Sequence, residues 1–344
     1  MSKTRMMPLV IAAIAAMPAS GLAQNFKVDK WNIGVEGGHD YITAEAGTGR
    51  VFVSRGTHVM VVDGKTGKVL GDVEKTPRVH GTAIAPKLKR GFTSNAGDST
   101  VTVFDIDTFL EVQRIKIDVG GLDGIMFDEA SGHVVLTNHS NPGTAVWFDA
   151  DNGEVDGTAS LEDKAPEGAV SDGNGRLFVN LEGKNAIQVL SIESAKSLAV
   201  WPVEACDGPT GIAFDKKSNR IFAGCSKTSV VVDAKTGKVV ATLANGDGVD
   251  ALAWDAAEKL LYIPGGQSGD VTVYRQDAPD KYTKVATVPT MKGAKTITID
   301  PVTHRAYAVA LERGPAPAAP ANQPAGARPP MGPVVGAWFM AISH

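Results

Sequence analysis

The residues of this chain best suited to chemistry recur at regular distances. The pairs His39-Asp40, His80-Gly81, Leu122-Asp123, Glu167-Gly168, Pro209-Thr210, Val249-Asp250 and Ala294-Lys295 each stand just ahead of a short apolar, strand-like run. Imidazole and carboxylate are hard-to-borderline donors suited to first-row divalent ions, and an imidazole is also a general base near neutral pH. Brought together, His39, His80, Asp123 and Glu167 could hold a divalent metal ion. With Asp40, Asp250 and Lys295 they could equally hold an anion or a sugar-like or acid ligand. A second set, Arg55, Asn95, Asn138, His139 and Asn180, stands at the ends of the next strand-like runs and is expected on the same face. The plainest alternative is that all of them make turn hydrogen bonds and bind water.

Local catalytic motifs give no support to a defined reaction. No His-Glu-x-x-His, Cys-x-x-Cys or Gly-x-Ser-x-Gly occurs, so no catalytic residue and no cofactor is assigned from motifs. Gly64-Lys65-Thr66 resembles the end of a phosphate-binding loop but lacks the upstream glycine and falls in a hairpin pattern. Asp149-Ala150-Asp151-Asn152-Gly153 opens like a calcium loop, yet a glycine takes a ligand position and no glutamate closes it. Both read as turns.

The elements that must position these residues come from a repeat. Val61-Val62-Asp63-Gly64-Lys65-Thr66-Gly67-Lys68-Val69 returns as Val231-Val232-Asp233-Ala234-Lys235-Thr236-Gly237-Lys238-Val239, and the aspartate position recurs at Asp105, Asp149, Ser191 and Arg275, a period of about 42 residues. A second anchor recurs at Phe52, Phe92, Val135, Phe178, Phe222, Tyr262 and Tyr307, giving seven units. Each unit has alternating apolar runs separated by turn residues and no helical spacing, the pattern of four strands in a propeller blade. The expected fold is all-β, a seven-bladed β-propeller of four-stranded antiparallel blades forming a single domain over residues 24–344. Its last unit lacks a fourth strand and carries a Pro/Ala-rich insertion at about 313–333. Residues 26–33 supply the missing strand and close the ring, removing the exposed edges. The innermost strands line the channel, so both polar sets converge on its mouth. The five tryptophans, Trp31, Trp147, Trp201, Trp254 and Trp338, are read as blade-packing residues.

The Val-x-Val-x-Asp-x-x-Thr-Gly-Lys-Val unit, with His80-Gly81-Thr82-Ala83-Ile84-Ala85-Pro86 and Cys206-Asp207-Gly208-Pro209-Thr210-Gly211-Ile212-Ala213-Phe214-Asp215, resembles the YncE-like, YVTN-repeat family of exported bacterial propeller proteins. The resemblance covers residues 24–344. It implies a seven-bladed ring and a periplasmic or cell-surface location, but no common reaction and no catalytic residue to carry over. Unit six departs from the pattern with Tyr274-Arg275.

Residues 1–23 read as a secretory signal peptide, with Lys3 and Arg5, an apolar run over 7–19 and a Gly21-Leu22-Ala23 end. A membrane anchor is disfavoured because Pro8 and Pro18 interrupt a run shorter than the about 20 residues a span needs. The expected location is periplasmic or secreted, without a spanning segment. The formal net charge of −4 becomes more acidic when Lys3 and Arg5 leave, which argues against a nucleic-acid partner. Cys206 and Cys225, the two cysteines, flank a strand-turn-strand pattern and are expected to pair as a disulfide; two buried thiols are the alternative. The leading function is a monomeric binding or interaction protein that takes a small molecule or a protein partner at the channel mouth. The alternatives are a metal-assisted lactonase or lyase and a structural scaffold.

Overall fold

The computed structural model describes residues 25–318 and 330–344, so the leader read over 1–23 and residues 319–329 of the Pro/Ala-rich segment lie outside the described residues. Runs such as Arg50-Val51-Phe52-Val53-Ser54 alternate their side chains between two faces, and β-branched and aromatic residues fill both, as a strand buried between sheets requires. Seven four-stranded antiparallel sheets result. The strands of six sheets follow chain order, and their inner strands are Ile42–Ala44, Val79–Ala85, Leu122–Asp128, Pro166–Ser171, Ile212–Asp215 and Ala253–Asp255. Ile297–Asp300 is the inner strand of the seventh, and each inner strand packs beside those of both neighbouring blades.

The seventh sheet closes the ring as the repeat count requires. Lys27–Asn32 pairs antiparallel with Val334–Ser343, setting Trp31 opposite Phe339. The Pro/Ala-rich insertion joins Arg305–Arg313 to Val334–Ser343, two strands paired with each other. No helix among the described residues is long and apolar enough to cross a membrane.

The core lies between blades. Phe52 packs on Phe104, Phe92 on Phe148 and Phe222 on Trp254 of the next blade, while Phe178 with Trp201 and Tyr307 with Phe339 are pairs within one blade. Seven apolar clusters draw residues from consecutive blades around the whole ring. Each fully buried large apolar side chain contributes about 1.5–3 kcal/mol. Stability is therefore distributed around the ring.

At the base, where the inner strands end, one repeat position carries Glu45, Asp128, Asp172, Asp215, Asp255 and Asp300, all buried. Each closes its own turn. Asp172 Oδ1 accepts from Asn174 N at 2.7 Å, Asp215 Oδ1 from Lys217 N at 3.0 Å and Asp255 Oδ1 from Ala257 N at 3.0 Å. Asp300 Oδ1 accepts from Val302 N at 3.0 Å and from Gly47 N of the next blade at 2.9 Å. Exposed hairpins use the same device: Asp63 Oδ1 accepts from Lys65 N and Thr66 N, and Asp149 Oδ1 from Asp151 N and Asn152 N. Both motifs that imitate a phosphate or calcium loop are thus turns.

Candidate functional site at the channel mouth

Repeat position and side-chain contacts together show which of the polar residues gather at the channel mouth. Thr43, Ala83, Met126, Val170, Ala213, Ala253 and Thr298 lie opposite the aromatic or valine anchors of the second strands. Three positions upstream of these stand Asp40, His80, Asp123, Glu167, Thr210, Asp250 and Lys295, one from each blade. They form a ring at the mouth. Hydrogen bonds from adjoining blades fix their backbone: Ser94 Oγ donates to Asp123 O at 2.6 Å, Thr137 Oγ1 to Glu167 O at 2.9 Å and Thr296 Oγ1 to Asp40 O at 2.8 Å.

The residue after each ring position is small. Gly81, Gly124, Gly168, Gly211, Ala251 and Thr296 occupy it, and a Cβ at Gly124 would stand 2.7 Å from Thr137 Oγ1. Close approach of neighbouring inner strands requires this. The exception is Tyr41 of the first blade, whose hydroxyl crosses the channel and donates to Glu167 Oε2 at 3.1 Å. Tyr41 was not among the sequence candidates. Its signal was being the one large side chain at a repeat position otherwise held by small ones.

Charges alternate along the ring. His80 Nδ1 lies 2.7 Å from Asp40 Oδ2 and 2.9 Å from Asp123 Oδ1. His139, reaching in from the end of a second strand, places Nε2 3.2 Å from Asp123 Oδ2 and 3.4 Å from Glu167 Oε1. Lys295 Nζ sits 2.5 Å from Asp250 Oδ2 and 3.6 Å from Asp40 Oδ1. A chain of contacts therefore runs from Tyr41 through Glu167, His139, Asp123, His80, Asp40 and Lys295 to Asp250.

This arrangement moves the protonation equilibria. Hydrogen bonds to Asp123 and Asp40 push the His80 imidazole up to about 9, and those to Asp123 and Glu167 push His139 up to about 10. Burial acts to raise Asp123, but the two imidazoles outweigh it and hold the carboxyl at about 2. Glu167 and Asp250 are raised by burial. Burial acts to lower Lys295, and the charges of Asp250 and Asp40 outweigh it and raise it.

Four expected residues turn elsewhere. His39 stands one residue upstream of the ring, in the segment leading into Ile42–Ala44, and its Nε2 lies 2.9 Å from Gly293 O. Burial lowers its pKa. The metal set of His39, His80, Asp123 and Glu167 is corrected accordingly: the convergent donor groups are Asp40, His80, Asp123 and Asp123, His139, Glu167, without His39. Arg55 is fully buried and donates through Nη2 to Glu36 O. Asn138 Nδ2 donates to Gly120 O at 2.8 Å and its Oδ1 accepts from Thr144 N at 2.8 Å. Asn180 Nδ2 donates to Thr210 O at 3.1 Å and Gly211 O at 2.8 Å, clamping the next blade. All three bond backbone groups.

Two spaces adjoin the ring. Beneath it the channel encloses about 150 Å³ with Ile42, Ile125, Ile212 and Ile297 in its wall. Beside it a cleft of about 470 Å³ is lined by His39, Lys292, Lys295 and Arg313 among others. Cys206 and Cys225 form a disulfide on the mouth face, with Cα atoms 5.4 Å apart.

No protein-family model matches the chain, and no curated protein matches its sequence. Solved structures do match. A chain of the hydrazine synthase of Kuenenia stuttgartiensis is similar at a TM-score of 0.70 and 19% identity, over 81% of this chain and 94% of that one. A chain of a mitotic checkpoint complex is similar at 0.71 and 15% identity, over 89% and 96%. The WD40 repeats of RRP9 are similar at 0.74 and 9% identity, over 92% and 97%. At such identities the likeness is one of fold, and it places this chain among the β-propellers.

Proposed function

We propose that this chain is an exported binding propeller that takes a small polyhydroxylated acid at the channel mouth. The observation carrying this reading is the ring itself: one repeat position supplies Asp40, His80, Asp123, Glu167, Thr210, Asp250 and Lys295 around a single opening. The blades are held by apolar interfaces and base turns, and partly buried ion pairs add little net stability over apolar packing. Such a cluster with displaced protonation equilibria is the signature of a site. Lys295, with Lys292 and Arg313 in the adjoining cleft, suits a carboxylate. The ring carboxylates suit hydroxyl donors.

The propeller fold suits an interaction or scaffold role, and an acidic loop of a partner protein meets the same chemistry. Export is supported by the leader pattern at residues 1–23, the YVTN-repeat resemblance and the disulfide, which persists in oxidising compartments. Calorimetric titration of a panel of aldonic and uronic acids, in buffer containing a chelator, tests the reading. Binding is expected with the wild type and at least about tenfold weaker with Lys295→Met, the loss of one charge-assisted hydrogen bond. No heat with any acid, or equal binding by the variant, overturns it.

A second reading, a metal-assisted lactonase or lyase, is favoured by the two convergent donor groups. Asp40, His80, Asp123, His139 and Glu167 would hold the ion, which would supply Lewis-acid polarisation of a lactone carbonyl for hydrolysis to the hydroxy acid. Lactone hydrolysis that depends on added Mn²⁺ and disappears in Asp123→Asn tests this.

A further inference from the structure

We infer that the mouth is built to hold two divalent first-row metal ions bridged by the carboxylate of Asp123. The inference rests on reading the mouth as the functional site. In each donor group a single imidazole nitrogen faces two carboxylate oxygens, at 2.7 and 2.9 Å from His80 Nδ1 and at 3.2 and 3.4 Å from His139 Nε2. One N–H points along one line, so it cannot satisfy two carboxylates equally. A cation at the centre of each group satisfies all three donors. With metal–ligand bonds of about 2.1 Å, the edges of an octahedron are about 3.0 Å and those of a tetrahedron about 3.4 Å. The imidazole-to-carboxylate separations, 2.7 to 3.4 Å, fall near these edges, and the donor atoms of each group all lie within 4.8 Å of one another.

Asp123 belongs to both groups, and it divides its oxygens between them. Oδ1 faces His80 and Oδ2 faces His139, the arrangement of a carboxylate bridging two ions. Two-metal sites of this kind space their ions about 3.5–4 Å apart. The outer carboxylates each have their other oxygen occupied. Tyr41 donates to Glu167 Oε2 at 3.1 Å, and Lys295 Nζ lies 3.6 Å from Asp40 Oδ1. These partners leave Glu167 Oε1 and Asp40 Oδ2 directed inward, as second contacts do in metal centres.

Each ion receives one imidazole nitrogen and two carboxylate oxygens from the protein, a mixture suited to Mn²⁺ or Zn²⁺. The remaining positions are open to water or to a ligand carboxylate or hydroxyl. The ring thereby gains a means of binding acids that a lysine alone does not supply.

The test uses the chelator-stripped chain dialysed against MnCl₂, with elemental analysis and electron paramagnetic resonance as readouts. The expected result is two Mn²⁺ per chain with an exchange-coupled spectrum. Asp123→Asn should lose both ions, whereas His80→Gln and His139→Gln should each retain one ion with an uncoupled six-line spectrum. Melting curves of each variant identify any that fail to fold, and the two histidine variants act as independent arms. Fewer than two ions in the wild type, or two uncoupled ions of which Asp123→Asn loses only one, overturns the inference. Mn²⁺ binding needs no organic acid and the acid titration is run in chelator, so either result can fail without the other.

Discussion

At the base of the channel Glu45, Asp128, Asp172, Asp215, Asp255 and Asp300 share one repeat position, and each bonds the turn that follows it, with Asp215 and Asp255 reaching Gln276 and His304 of the next blade as well. At the mouth Asp40, Asp123, Glu167 and Asp250 share another, and each faces a side chain carried by another strand or blade. The base therefore repeats both its residue type and its bonding. The mouth repeats only its position, with acid, imidazole, hydroxyl and ammonium in turn. Identical acids serve the architecture, whereas a varied ring forms one asymmetric surface. Burial alone does not separate structural from functional charges; bonding to the acid's own turn, which the base acids make and the mouth acids do not, does.

The largest expected effect belongs to the mouth's covalent support. Replacing both Cys206 and Cys225 by serine, which opens a link across 19 residues, should lower unfolding free energy in urea by about 3 kcal/mol. No loss would show that the mouth face needs no staple. Next comes the base: Asp300→Ala removes acceptors from Gly47 N, Val302 N and Thr303 Oγ1 and should cost about 2–3 kcal/mol in the same titration. A cost near zero would erase the distinction between the two ends.

The mouth should reveal itself by pH. His80 and His139 are raised from 6.5 to about 9 and about 10, so their protonated pairs stabilise the fold fully below pH 6.5 and lose that effect as pH rises through those values. In chelator, which keeps both imidazoles free of metal, the melting temperature of the wild type should fall by several degrees more than that of a His80→Gln/His139→Gln variant between pH 7 and pH 10. Parallel curves for the two would break the proposed coupling. The smallest effect is expected for Asp250→Asn. Burial already opposes its charge, and the partly exposed Lys295 keeps Asp40 as a carboxylate partner at 3.6 Å, so unfolding free energy should change by less than about 1 kcal/mol. A loss as large as that of Asp300→Ala would make the mouth structural.

The repeat was legible because spacing survives where residue types vary. Phe52 and its equivalents mark the second strands, and counting them gives seven blades and the need for a closing strand. The mouth was legible as adjacent pairs, since every ring residue belongs to one. Choosing within a pair needs the side-chain partners, which the sequence does not display: Asp40 meets His80 and Lys295, whereas His39 bonds Gly293 O. The backbone bonds of Arg55, Asn138 and Asn180 were not legible for another reason: a polar side chain at a strand end bonds whichever backbone group the turn leaves open, and sequence does not display those groups.

The closing strand sets a condition on when the site can exist. Thr296 Oγ1 donates to Asp40 O, and Lys295 pairs with Asp40, across the seam between the seventh blade and the first. Lys27–Asn32 is made early in synthesis and its partner, Val334–Ser343, late. A nascent chain can stack its middle blades while Asp40 still lacks its lysine. The ring of charges is thus assembled at the end of folding, and an unfinished or truncated chain presents the parts of the mouth without the mouth.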